Sequence, residues 1–224
     1  MNLLKIYPHR DVVYFMRKVF GTLVVPDEKY MNGHLKSFLA SEVSDKIMLE
    51  FGGGTSSVYF SQICKSVVCV EADSAYIKAI KKNLKAKNLI HKIKFFNPKI
   101  GFVKAYSYPL KSSSFLFRNR FLNYSIGYFL NNNNESSGQN LPDAVFIDGR
   151  FRVACAAASL KFINKNFILI VDDYFSRVEY HVIEKIVGKP DHAFNDTVVF
   201  HVKKERVDSR IVELILNQYC LDPR

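Results

Sequence analysis

The sequence predicts an open, doubly wound α/β sheet, mostly parallel, with helices on both faces. Two observations carry that reading. Short apolar runs ending in an acid alternate with helix-length amphipathic segments, with no internal repeat. Two of these runs, Asp143 to Asp148 (DAVFID) and Asn166 to Asp172 (NFILIVD), are apolar almost throughout, as central parallel strands covered on both faces must be.

Helical spacing over Val12 to Phe20 and Lys29 to Glu42 predicts two helices ahead of the first strand, Lys46 to Phe51. After a glycine turn, Ser57 to Cys64 reads as a helix, Ser66 to Glu71 as a strand, and Ser74 to Lys87 as a helix with a basic outer face, completing a βαβ unit. A strand at Ile93 to Phe96 precedes an irregular stretch through Pro98 and Pro109. An aromatic-rich helix or loop, Phe115 to Leu130, leads into the polar tract NNNNESSGQN, Asn131 to Asn140, read as a solvated insertion. Alanine-rich Val153 to Phe162 and Arg177 to Val187 are expected to be helices. Thr197 to Lys203 and Arg210 to Leu216 supply closing strand or helix. Residues 1–45 read as an N-terminal helical segment packed on the core and 46–224 as the sheet domain, one domain overall.

With 224 residues, 48% hydrophobic, including 19 Phe and 12 Tyr, the chain can bury one substantial core. No apolar run reaches the length of about 18 to 20 residues needed to span a membrane, and no signal peptide is visible. Cys64, Cys69, Cys155 and Cys220 lack zinc spacing and lie mostly in apolar stretches, which points to reduced cysteines and a cytoplasmic setting. The formal charge of +11 reads either as a solvated basic surface or as attraction to an anionic partner, whether nucleic acid, phosphorylated glycan or acidic lipid headgroups.

In such sheets ligands bind beyond the carboxyl ends of the strands, which selects Glu50, Glu71, Asp148, Asp172 and Asp173. Glu71 follows the first glycine turn by about twenty residues, where a carboxylate can accept both hydroxyls of a ribose. The glycine pattern is E-x-G-x-G-x-S (Glu50, Gly52, Gly54, Ser56), without the third glycine of the dinucleotide fingerprint. An acid ahead of the loop also disfavours a pyrophosphate, whereas a cofactor bearing an amine and a sulfonium tolerates it.

These residues resemble the class I S-adenosylmethionine-dependent methyltransferases, whose first motif is E/D-x-G-x-G and whose second strand ends in an acid. The likeness spans roughly residues 30 to 203 and implies their Rossmann-like fold. It implies that Glu50 helps fix the methionine end, that Gly52, Gly53, Gly54, Thr55 and Ser56 pass under S-adenosylmethionine, and that Glu71 with Ala72 holds the ribose side. FIDGRFRVACA (Phe146 to Ala156) and VDDYFSRVEYHVIE (Val171 to Glu184) resemble a less characterised bacterial-type group of methyltransferase-like proteins. Lys99 stands where that group carries an acid before Ile-Gly, and Tyr106-Ser107 where it carries Trp-Gly, so the adenine side departs from its pattern.

On the acceptor side Asp148, which also borders the cofactor, is the first choice for a general base, with Asp172 and Asp173 next. Together the three resemble the acids at which catechol-type O-methyltransferases hold magnesium; alternatively, Asp173 caps a helix entered through Tyr174. Arg150, Arg152 and Arg177 either recognise an anionic acceptor or pair with these acids. No N/D-P-P-Y/F/W signature follows the fourth strand, which favours oxygen of a small-molecule or glycan-like acceptor over a nucleobase amine. The rival reading is a non-catalytic Rossmann-like module that docks an anionic polymer on its basic surface.

Overall fold

A computed structural model describes residues 7–26, 32–110, 118–132 and 141–224 of the chain. Seven strands, β1 (Ile47–Phe51), β2 (Ser66–Val70), β3 (Ile93–Phe96), β4 (Ala144–Ile147), β5 (Phe167–Val171), β6 (His192–Phe194) and β7 (Thr197–Val202), form one sheet in the order β3-β2-β1-β4-β5-β7-β6. The first five are parallel; β7 runs antiparallel to both β5 and β6. The connections are helical: α1 (Tyr7–Val19), α2 (Gly33–Val43), α3 (Thr55–Ile63), α4 (Ser74–Ala86), α5 (Leu122–Asn132), α6 (Arg152–Phe162), short α7 (Glu184–Val187) and α8 (Ser209–Tyr219).

Strand alternation sorts the core into two layers. Leu49, Phe51, Val145, Ile147, Leu169 and Val171 point to the side covered by α5, α6 and α8. Met48, Val67, Ala144, Phe146, Ile168 and Ile170 point to the side covered by α2, α3 and α4. The alanine-rich stretch of α6, Ala154 to Ala158, is buried throughout, because small side chains let that helix lie close against both the sheet and α8.

Several elements differ from the sequence expectation. The helix expected from Lys29 starts at Gly33, where Asn32 caps it by accepting from the His34 amide at 2.9 Å; residues 27–31 lie outside the described segments. The expected Phe115 to Leu130 helix is a 3-10 turn, Arg118–Arg120, followed by α5; residues 111–117 and the tract at 133–140 lie outside the described segments. Arg177 to Val187 is not one helix. Val178–Ile183 is 3-10, with Tyr180 and Ile183 buried three residues apart, the spacing that repeats once per 3-10 turn. Strand β6 was not foreseen. It pairs with β7 across the two-residue Asn195-Asp196 loop, Asn195 taking a left-handed φ of 54°.

Candidate functional site

The carboxyl ends of β1, β2, β4 and β5 open into a cleft of about 1190 Å³, walled also by α1, the 3-10 turn Ala105–Ser107 and the β6-β7 loop. Its floor is the glycine bend. Gly52 has φ +95°, and a Cβ there would lie 2.4 Å from the Gly149 Cα. On Gly53 it would lie 2.8 Å from the Cys69 Sγ, whereas on Gly54 it would meet only the Tyr76 hydroxyl at an ordinary 3.5 Å. The first two glycines are therefore explained by the crossing of the β1 and β4 exits and by packing on β2 and α4. Gly54 alone leaves free space toward the cleft, which modifies the expectation of a bend kept bare throughout for a ligand.

Glu50 is completely buried beneath this floor and is not on the cleft wall. The hydroxyls of Ser56 and Ser57 each donate to its carboxylate at 2.5 Å. Burial pushes its carboxyl up to about 7 against those two hydrogen bonds. Glu50 thus holds Ser56, which borders the cleft, and Ser57, and fixes the start of α3. Thr55 borders the cleft but donates its hydroxyl to the Pro26 carbonyl at 3.0 Å. Ala72 lies behind the wall, its carbonyl accepting from the Asn97 amide at 3.0 Å.

Glu71, at the exit of β2, lies on the cleft wall although it is only 2% exposed. Its carboxylate accepts from the backbone N–H of Gly53 at 3.2 Å, from that of Asp73 at 2.7 Å, and from the Ser107 hydroxyl. Burial raises its carboxyl above the ordinary value in spite of these donors. Ser107 and Tyr106, the residues that stand for Trp-Gly, both have positive φ, which folds their turn back over Glu71. Lys99, also at positive φ, is exposed, its amide donating to the Asn97 side chain at 2.8 Å.

At the other end of the cleft Asp148, Asp172 and Asp173 each offer an oxygen within 4.8 Å of the others. Of the two readings of Arg152, pairing with the acids is the one observed: it is buried to 2% exposure and ties this end together. Its guanidinium donates to Asp148 Oδ1 at 3.0 Å, Asp173 Oδ2 at 2.9 Å, and the main-chain oxygens of Gly149 and Asp172 at 3.0 and 2.5 Å. Burial alone would lower its pKa; Asp148, Tyr180 and Asp173 hold it above the ordinary value instead. The Thr197 hydroxyl donates to Asp172. Asp173 caps no helix: Asp196 of the β6-β7 loop accepts from the Phe175 and Ser176 amides at 2.6 and 2.9 Å.

The Asp148 side chain is 41% exposed to the cleft yet enclosed by protein on its other sides. This enclosure, assisted by Asp172 and Asp173 and opposed by Arg152, pushes its carboxyl up to about 7. Three carboxylates suit a hard divalent cation, but a guanidinium already lies against two of them, so the site is a poor fit for magnesium. Arg150 donates from Nε to the Tyr106 carbonyl at 3.1 Å and lies over the Tyr108 ring. Burial, together with Arg152 and Arg177, lowers its pKa. Arg177 is 3.6 Å from Asp173. Of the three arginines, then, Arg152 and Arg177 both pair with the acids, and Arg150 and Arg177 keep side chains on the cleft border.

Sequence reasoning missed Tyr14 and Arg17 of α1 and Asn195, Asp196 and Thr197 of the hairpin, all on the cleft wall. The Asn-Asp pair between two β-rich runs was the available signal for the hairpin; nothing in the sequence signalled the position of α1.

No family model matches this chain, and no curated protein matches it in sequence. Among solved structures, a methyltransferase-like protein from Silicibacter pomeroyi matches with a TM-score of 0.72 at 24% identity, over 87% of this chain and 97% of that one. This chain has that protein's fold. An O-methyltransferase from Bacillus cereus, solved with S-adenosylhomocysteine, matches with a TM-score of 0.47 at 14% identity over 99% of this chain and 83% of that one. A putative O-methyltransferase from Klebsiella pneumoniae gives 0.43 at 16% identity over 96% and 79%.

Proposed function

We propose that the chain is a class I S-adenosylmethionine-dependent methyltransferase that acts on an oxygen of a small-molecule or glycan-like acceptor carrying a negative charge. The observation that carries this reading is Glu71: a carboxylate at the exit of β2, above a glycine bend, already bonded to an O–H donor, Ser107, where a ribose hydroxyl would donate. The residues fit the cofactor in two further respects. Gly54 leaves the floor open, and the cleft volume exceeds what one nucleoside-sized ligand fills, so a second molecule has room.

The cofactor, when bound, supplies an electrophilic methyl group. The protein's share is to hold an acceptor in line with it and to take up the acceptor's proton. Asp148 is the residue for the second task, because a carboxyl titrating near 7 is matched to a general base at neutral pH. Asp172 and Asp173 adjoin it and keep its pKa up. Arg17, Arg150 and Arg177 line the same cleft and suit a carboxylate or phosphate on the acceptor.

Calorimetry with S-adenosylhomocysteine tests the reading. Wild-type protein should bind it, and Glu71→Gln should weaken binding by about tenfold, the equivalent of one hydrogen bond to a charged group, measured below its melting temperature, which should fall because the amide sets an N–H group against donors that the carboxylate accepted. Asp148→Asn should keep the binding and lose turnover. Absence of heat at millimolar ligand would overturn the assignment.

A further inference from the structure

Helix α1 is amphipathic in the inverted sense. At 100° per residue, Asp11, Val13, Tyr14, Arg17 and Lys18 share one side, and that side meets the protein. Val13, Tyr14 and Arg17 line the cleft. The Tyr14 hydroxyl and the Lys18 ammonium both donate to Asp73 Oδ2, at 2.8 and 2.7 Å, and Asp11 pairs with Lys104 at 3.3 Å. The opposite side carries Val12, Phe15, Met16 and Val19 at i, i+3, i+4 and i+7, and these are 47 to 62% exposed. Phe20 and Val24 continue the exposed apolar surface just past the helix. Single apolar residues on a surface are ordinary, but a contiguous helical stripe of them marks a face that something covers.

We propose that this stripe docks on an anionic lipid surface, α1 lying in the plane of the interface with Phe15 and Met16 at its centre. Two observations favour lipid over a second copy. A 13-residue helix is about 20 Å long and about 10 Å across, so one side offers a projected area of roughly 200 Å², well short of the ~800 Å² per partner of a stable dimer interface. Each copy also carries a charge of +11, which opposes self-association and favours an acidic membrane. Exposed cations are available as well: α4, whose N-cap Asp73 anchors α1, exposes Lys78, Lys81, Lys82 and Lys85. An exposed apolar helix side on a strongly basic protein is the combination that binds acidic membrane surfaces. The inference is independent of the methyl-transfer reading.

Co-sedimentation with vesicles tests it. The full chain should pellet with vesicles of phosphatidylcholine and phosphatidylglycerol, much less with phosphatidylcholine alone, and less as salt is raised. The Phe15→Ser/Met16→Ser variant changes only exposed positions and should keep the wild-type melting temperature while losing about tenfold or more in vesicle affinity. Replacing Lys78, Lys81, Lys82 and Lys85 by Gln should reduce binding to the acidic vesicles alone. The proposal is overturned by no pelleting with either vesicle, by equal binding to both, or by equal binding of the serine variant. A wild-type dimer that the serine variant abolishes would overturn it too, by making a second copy the occupant.

Discussion

The two ends of the cleft place carboxylates at the same edge of the same sheet and treat them in opposite ways. Under the glycine bend, Glu50 is sealed in, and its partners are neutral hydroxyls. At the exits of β4 and β5, Asp148 and Asp173 stay wet and share a buried guanidinium. Burial pushes both Glu50 and Asp148 up to about 7, and for Asp148 the neighbouring Asp172 and Asp173 assist it. The difference separates a carboxylate that braces the floor from carboxylates that can meet a ligand.

The sharpest way to break this division is to disturb the crossing that joins the two ends. Gly52→Ala would force a Cβ into the Gly149 backbone at a φ that only glycine adopts with ease, and should cost about 3 to 5 kcal/mol in urea unfolding. A smaller loss is expected from Arg152→Met, about 2 kcal/mol, because the carboxylates it frees are partly hydrated and suffer less than fully buried ones would. That variant also sharpens the comparison. With the guanidinium gone, magnesium should raise its melting temperature, whereas the wild type should be indifferent to magnesium and to excess chelator.

The smallest effect concerns pH. Glu50 holds its proton in the folded chain up to about 7 but releases it near 4.5 when unfolded. Between those values the folded state binds more protons, so stability should fall as pH rises and level off above 7. Asp148 and Glu71 add to that slope in the same sense, so Glu50→Gln should lessen it without abolishing it in melting curves recorded from pH 5 to pH 8; an unchanged slope would show that Glu50 does not titrate in this window.

The β1-α3-β2-α4 segment was legible because its signals are local: apolar runs closed by acids, a glycine cluster, and a helix-length segment with a basic outer face. The central strands DAVFI and FILIV were equally plain. What escaped depends on partners distant in sequence. For Arg152 the sequence offered both rim and pairing, and only the exit of β5, closing over it, decides for pairing. The periodicity of α1 locates a helix but cannot say which side faces out. That side is decided by Asp73, 59 residues beyond Tyr14. The spacing of Tyr180 and Ile183 is shared by 3-10 and α geometry, so the sequence pattern alone did not separate them.

The bond from Ser107 to Glu71 sets the terms on which anything can bind there. The carboxylate already takes three donors, so one newcomer's hydroxyl can use the remaining acceptor position, whereas a second must displace Ser107 and adds no hydrogen bond. A ligand without a hydroxyl to offer leaves Ser107 in place and gains nothing from the carboxylate. A spent ligand, for its part, departs from an acid that its own loop promptly satisfies again.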